Sequence, residues 1–132
     1  MVETTALSET LTVLASLNEH GVAYVVVGGV ALNIHGLVRA PEGLDIFVKP
    51  EPENIARLRD ALGAVWDDPA IEQITTEDLC GDYPAVRYGP PTGLIYLDIM
   101  TRLGEFAGWN DLKAMYVTLR GVRVHVATPA TL

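Results

Sequence analysis

AYVVVGGVALNIHGLVRAPEGLDIFV, residues 23–48, is the stretch from which the rest of the chain is read. Its opening β-branched and aromatic run, residues 24–27, predicts a strand buried on both faces. Gly28-Gly29 ends that strand, and Val30, Ala31, Ile34 and His35 follow at spacings suited to one short helix, stopped by Gly36. Arg39 comes next, then a second strand at residues 44–48 with Asp45 in its interior. A strand, a Gly-Gly turn and a helix start place free backbone N–H groups where a phosphate can sit. An ionisable Asp45 between Leu44 and Ile46 is costly to bury without a cation or a partner. The stretch therefore pairs a phosphate cradle with a carboxylate fit for a metal.

On the N-terminal side, Leu7, Leu11, Leu14 and Leu17 recur at helical spacing. They predict an amphipathic helix with its leucine stripe on the sheet and Gly21 placed to end it. On the other side, Pro50-Glu51-Pro52-Glu53 predicts a helix start, with Pro52 in the first turn and Glu53 near the positive end. Ile55, Leu58, Leu62 and Val65 form its buried face, and Gly63 loosens its end. Residues 67–82 read as polar and irregular, with a short helix near 76–79. Their acidic residues Asp67, Asp68, Glu72, Glu77 and Asp78 read as a solvated face.

Residues 85–88 predict a strand, 89–93 a turn, and 94–100, LIYLDIM, another strand with a single Asp98 among apolar neighbours. Residues 102–111 fit no single element and leave room for a helical turn. Residues 116–119 and 122–126 flank Arg120-Gly121 as a hairpin. Thr128 and Pro129 read as the N-cap and first position of a further helix.

A chain of 132 residues suits one domain spanning 1–132, and 49% hydrophobic content with mean hydropathy +0.25 marks it as globular. The single cysteine, Cys80, excludes an internal disulfide and fits a reducing compartment. It has no Cys or His at ligand spacing, so it reads as a structural or surface thiol. The N-terminus lacks the basic and apolar regions of a signal peptide. The longest apolar stretch, residues 22–34, falls short of the ~20 residues a membrane helix needs. The expectation is a soluble, cytoplasmic protein with no membrane partner.

Gly28-Gly29, a helix, Arg39 and an Asp-bearing strand resemble the nucleotidyltransferase superfamily that includes DNA polymerase β. The likeness is strongest to small bacterial proteins of the abortive-infection and toxin–antitoxin type. The family pattern reads Gly-Gly, then Arg-x-Thr-x-Asp-hydrophobic-Asp. Here Arg39, Pro41, Gly43 and Asp45 stand at those positions, so Pro41 replaces the Thr and Gly43 replaces the first Asp. The resemblance implies an α/β fold, a mixed twisted sheet with packed helices. It implies transfer of a nucleoside monophosphate from an NTP to a hydroxyl acceptor. Asp45 and Asp98 are the catalytic and metal-binding residues it implies, and Gly28, Gly29 and Arg39 the nucleotide-binding ones. Family proteins usually continue into one or two C-terminal helices, so the chain reads as short by that element, leaving an apolar patch for a second copy or a protein partner.

The spacing matters because strand residues i and i+2 share a face. Two Asp so placed, with a third on the neighbouring strand, form a cage for two Mg²⁺ ions. With Gly43 in the first position, two carboxylates remain, enough for one weak Mg²⁺ or Mn²⁺ site. Two alternatives stand beside this. A bulge at Gly43 would swing Glu42 toward Asp45, and Asp98 could instead pair with an arginine such as Arg87 or Arg102. The net charge of −8, without a basic stripe, favours a small nucleotide over a polynucleotide. A catalytically inactive relative that binds nucleotide, or acts through a partner, is the competing reading. His20, His35 and His125 lack metal spacing and read as structural or exposed.

Overall fold

The computed structural model describes residues 5–28, 43–81, 84–91, 93–103 and 107–128. Helix α1 (Ala6–Glu19) starts at Thr5, whose side chain accepts from the Ser8 N–H while the Ser8 hydroxyl oxygen accepts from the Thr5 N–H. That reciprocal cap satisfies two donors the first turn would otherwise leave unpaired. The chain leaves the helix through His20 and Gly21, the latter at φ +67°, and enters strand β1 (Tyr24–Val27). Strand β2 (Gly43–Val48) leads to helix α2 (Pro52–Val65), with Pro52 at its first turn.

A 3₁₀ turn (Pro69–Gln73) and a short helix α3 (Thr76–Cys80) precede strands β3 (Ala85–Tyr88) and β4 (Tyr96–Met100). A two-stranded ribbon, β5 (Arg102–Leu103) with β6 (Ala107–Gly108), and a 3₁₀ turn at Trp109–Asp111 occupy the segment that fitted no single element. The hairpin of β7 (Ala114–Leu119) and β8 (Val122–Ala127) turns through Arg120 and Gly121, both at positive φ. Two such residues in succession are what a tight hairpin turn requires.

These strands form a six-stranded mixed sheet in the order β3-β4-β2-β1-β8-β7. β1 runs antiparallel to β2 and parallel to β8, and β2 runs parallel to β4. The class is α/β, with three α-helices among the described residues. Helices α1 and α2 cover one face of the sheet. There Val13, Leu14 and Leu17 of α1 and Ile55, Leu58 and Leu62 of α2 bury Leu44, Ile46, Val48, Leu97, Ile99, Val124 and Val126. The alternate residues point to the second face, where Val25, Phe47 and Ala127 form a smaller apolar cluster with Met100, Trp109 and Leu112. Among the described residues no helix is long and apolar enough to cross a membrane.

Three details differ from the sequence reading. The buried face of α1 carries Glu9, Thr10, Val13, Leu14, Ser16 and Leu17, so Leu7 and Leu11 sit at its margin. The rotation has a polar cause: the Glu9 carboxylate accepts from the N–H groups of Leu94 (2.8 Å) and Ile95 (3.1 Å). Those two residues therefore form a bend tied to α1, and β4 begins only at Tyr96. Nor is Asp68 only part of a solvated face. It accepts from the Ala70 N–H and, at 2.6 Å, from the Tyr88 hydroxyl, which holds its carboxyl below the usual range. The predicted helix after Gly29 and the helix start at Pro129 lie outside the described residues.

Candidate functional site

The parallel pairing of β2 with β4 runs without interruption from Gly43↔Tyr96 to Phe47↔Met100, with Asp45 opposite Asp98. Both aspartates stand on the second face, because their sequence neighbours Leu44, Ile46, Leu97 and Ile99 fill the helix-covered core. Strand β3 adds Arg87, opposite Asp98 in the antiparallel register, and β1 ends at Val27 opposite Asp45. Four strands thus place Arg87, Asp98, Asp45 and the Val27-Gly28 turn in one row across the sheet.

Gly28 lies against the carboxylate. Its φ is +72°, and a Cβ there would fall on Asp45 Oδ2, so the turn needs glycine for both its backbone conformation and its close approach. Gly43 is closed off from the side. A Cβ on it would lie 2.5 Å from Tyr96 Cε2 and 2.7 Å from Cζ, so the Tyr96 ring occupies the space a first aspartate would use. The ladder is regular from Gly43 to Phe47, so no bulge interrupts that described part of β2. Glu42, Gly29 and Arg39 lie outside the described residues.

Arg87 grips Asp98 with a fork: its Nε donates to Oδ1 at 2.8 Å and its Nη2 to Oδ2 at 3.1 Å. The guanidinium carbon also sits 4.4 Å above the centre of the Tyr96 ring. Of the two arginines the sequence offered Asp98, the geometry selects Arg87. Tyr96 is the residue sequence reasoning missed. Its signal was a complementary pair: a small Gly43 two residues before Asp45, and a bulky Tyr96 two residues before Asp98.

Asp45 is half-buried, and its carboxyl is held above its ordinary value. Burial is the main cause, followed by the hydrogen bond it makes to Asp98 when protonated and by repulsion from that neighbour; Arg87 partly offsets these. The folded chain therefore keeps this proton to higher pH than the unfolded chain does. The associated stability is present below the unfolded value and is lost as pH rises through the folded one. Asp45→Asn keeps a donor toward Asp98 and removes the charge. It is expected to raise the melting temperature at neutral pH by roughly 2–5 °C, a figure discounted for partial solvent access. The difference between variant and parent should shrink as the buffer is acidified; a gain independent of pH would assign it to something other than this carboxyl.

The site's donor set can be tested against a metal. Among the described residues there is no group of three or more His, Cys, Asp or Glu that could hold one. Two carboxylates stand opposite one another in the register, both oxygens of Asp98 already accept from Arg87, and the Tyr96 ring fills the space beside Gly43 where a third carboxylate would stand. His20 and His125 are structural: their Nδ1 atoms bond the carbonyls of Ser16 and Tyr24. Comparison with protein-family models, with curated proteins and with solved structures returned no match.

Proposed function

We propose that this chain is a nucleotidyltransferase-like protein, built to move a nucleoside monophosphate from an NTP to a hydroxyl acceptor, with impaired chemistry. The observation that carries the reading is the alignment of Asp45 with Asp98 on adjacent parallel strands, beside a glycine turn that only a side-chain-free residue can make. Two carboxylates side by side repel one another unless a proton or a cation relieves them; Arg87 holds Asp98, and Asp45 is the carboxyl left for a divalent ion. In this reading Asp45, with Asp98 across the pairing, holds one Mg²⁺ or Mn²⁺, which supplies charge neutralisation at the triphosphate. Gly28 lets the chain turn close above Asp45, and Gly29 and Arg39 are the further nucleotide-binding residues that the family resemblance implies. The nucleotidyltransferase-like form of the α/β fold and the kinship with abortive-infection and toxin–antitoxin proteins are part of the same proposal.

A second reading is favoured by one feature. The Tyr96 ring stands where the first metal ligand of an active relative would project, which suits a protein that binds nucleotide without turnover. Thermal melts and labelled-NTP transfer separate the two. The parent is expected to be stabilised by Mn²⁺ and α,β-methylene ATP together, and Asp45→Asn to lose that gain, because only a ligand bound to the folded state stabilises it. Slow transfer would support the impaired enzyme, and binding alone the silent relative. A parent whose melting temperature ignores every combination of nucleotide and cation would refute both.

A further inference from the structure

We propose that strand β7 is a docking edge for an extended acidic segment of a partner protein, which adds to the sheet as a further strand; this is independent of the carboxylate site. β7 stands at the end of the strand order, and among the described residues its pairing is with β8 alone. Leu119 and Val122 close the two-residue turn, and bonded and non-bonded pairs alternate along the ladder from there. The N–H and C=O groups of Ala114, Tyr116 and Thr118 therefore point away from β8, a row of donors and acceptors along one open line. Sheets usually blunt such an edge with a bulge, a proline, a charge or mere shortness. The opposite edge, β3, has only four residues and carries Arg87. β7 has six, AMYVTL, in unbroken register, with no proline and no charge among them.

The two sides of β7 define what the added strand carries. Met115, Val117 and Leu119 share the helix-covered side with Val126, Val124 and Val122. Helix α1 packs over β8, and at β7 this apolar row is only partly covered, with Met115 42% exposed. Apolar residues at alternate positions of an incoming strand complete that cover. Tyr116 and Thr118 face the other side, opposite His125 and Arg123. The Tyr116 ring stacks on His125 at 4.5 Å, and the Arg123 guanidinium carbon lies 3.9 Å from its centre, which carries the charge of β8 out over the edge strand. Lys113 and Arg120 flank β7, and no Asp or Glu occurs after Asp111, although the whole chain carries −8. Asp111 itself accepts from the Gly108 N–H. The remaining alternate positions of the added strand are therefore acidic. A second copy of β7 does not match this pattern. Pairing two such hairpins would gather Lys113, Arg120 and Arg123 of both copies with no carboxylate on either hairpin.

The test titrates the full chain into a fluorescein-labelled peptide, Ser-Glu-Val-Glu-Ile-Asp-Val-Ser, by anisotropy, and reads amide hydrogen exchange in the complex. The expected result is saturable binding with slowed exchange at Ala114, Tyr116 and Thr118, the amides that face away from β8. A peptide of the same composition with its acidic and apolar residues in separate blocks should bind at least about tenfold more weakly, because it cannot serve both sides of the edge. Thr118→Pro removes an outward N–H and no bond to β8, and should weaken binding about tenfold. Should that variant not fold, peptides N-methylated at one alternate set of amides or the other ask the same question of the parent: one set should abolish binding and the other leave it. Arg123→Gln should weaken binding several-fold and flatten its salt dependence. Equal binding of the blocked peptide would reduce the effect to diffuse charge attraction and overturn the proposal. So would exchange protection confined to other amides, indifference to both methylation patterns, or no binding at ~1 mM peptide. Self-association of the parent that Thr118→Pro abolishes would give the edge to a second copy and overturn it as well.

Discussion

A Gly28→Ala chain is expected to unfold about 2–4 kcal/mol more easily than the parent, the sum of a left-handed backbone cost and an overpacked contact. The first part comes from φ +72°, a region where a Cβ crowds the following carbonyl oxygen. The second comes from the Asp45 carboxylate, onto which the new methyl group would project. The two parts can be separated. In an Asp45→Ala background the carboxylate clash is gone and only the Cβ of residue 45 remains, 3.2 Å from the new methyl group, so Gly28→Ala should cost only about 1–2 kcal/mol, leaving the difference as a coupling energy between the two positions. Urea denaturation of the four chains gives that cycle directly. Equal costs in both backgrounds would show that Asp45 does not press on the turn. Because Asp45 must move to admit the methyl group, Gly28→Ala should also lose the response to Mn²⁺ and nucleotide, although residue 28 offers no ligand of its own.

Much of the fold is legible in the sequence because it follows from period alone. The run from Tyr24 to Val27, the set Ile55, Leu58 and Leu62, and the Arg120-Gly121 turn each carry a local signal that needs no tertiary partner. The bend at Leu94 and Ile95 does not. Its residues are apolar and strand-like, and what removes them from the strand is a carboxylate 85 residues away in sequence. The same division holds at the site. Asp45 and Asp98 announce themselves as charges inside apolar strands, whereas the roles of Tyr96 and Arg87 depend on the register between β2, β4 and β3. The alternation of Leu97 and Ile99 with Asp98 forbids a one-residue slip, but a two-residue slip would keep every face and part these side chains, and nothing local in LIYLDIM or AVRY specifies against it.

Register also decides what restoring the missing aspartate requires. Gly43→Asp alone is expected to destabilise the chain by about 2–4 kcal/mol, since overpacking and like-charge crowding act together. Its Cβ would stand 2.5 Å from the Tyr96 ring, and turning that ring away would also strip Arg87 of the face it stacks on. Gly43→Asp with Tyr96→Ala removes the obstacle and places the introduced carboxylate beside Asp45 on the same face of β2, with Asp98 across the pairing. Three clustered carboxylates repel one another without metal, so the double variant should melt below the Tyr96→Ala chain in chelator and recover on addition of Mg²⁺ or Mn²⁺. A third ligand should raise labelled-NTP transfer by about 10–100-fold over the parent, the range over which ligand-shell changes alter metal-site activity. Adding Asp45→Asn should cancel both the metal response and the transfer. Gly43→Asp folding as well as the parent, and working as well as the double variant, would acquit Tyr96 as the obstacle. A parent that already transfers nucleotide as fast as the double variant would show that Gly43 impairs nothing, and Glu42→Gln would then ask whether the neighbouring glutamate supplies the ligand.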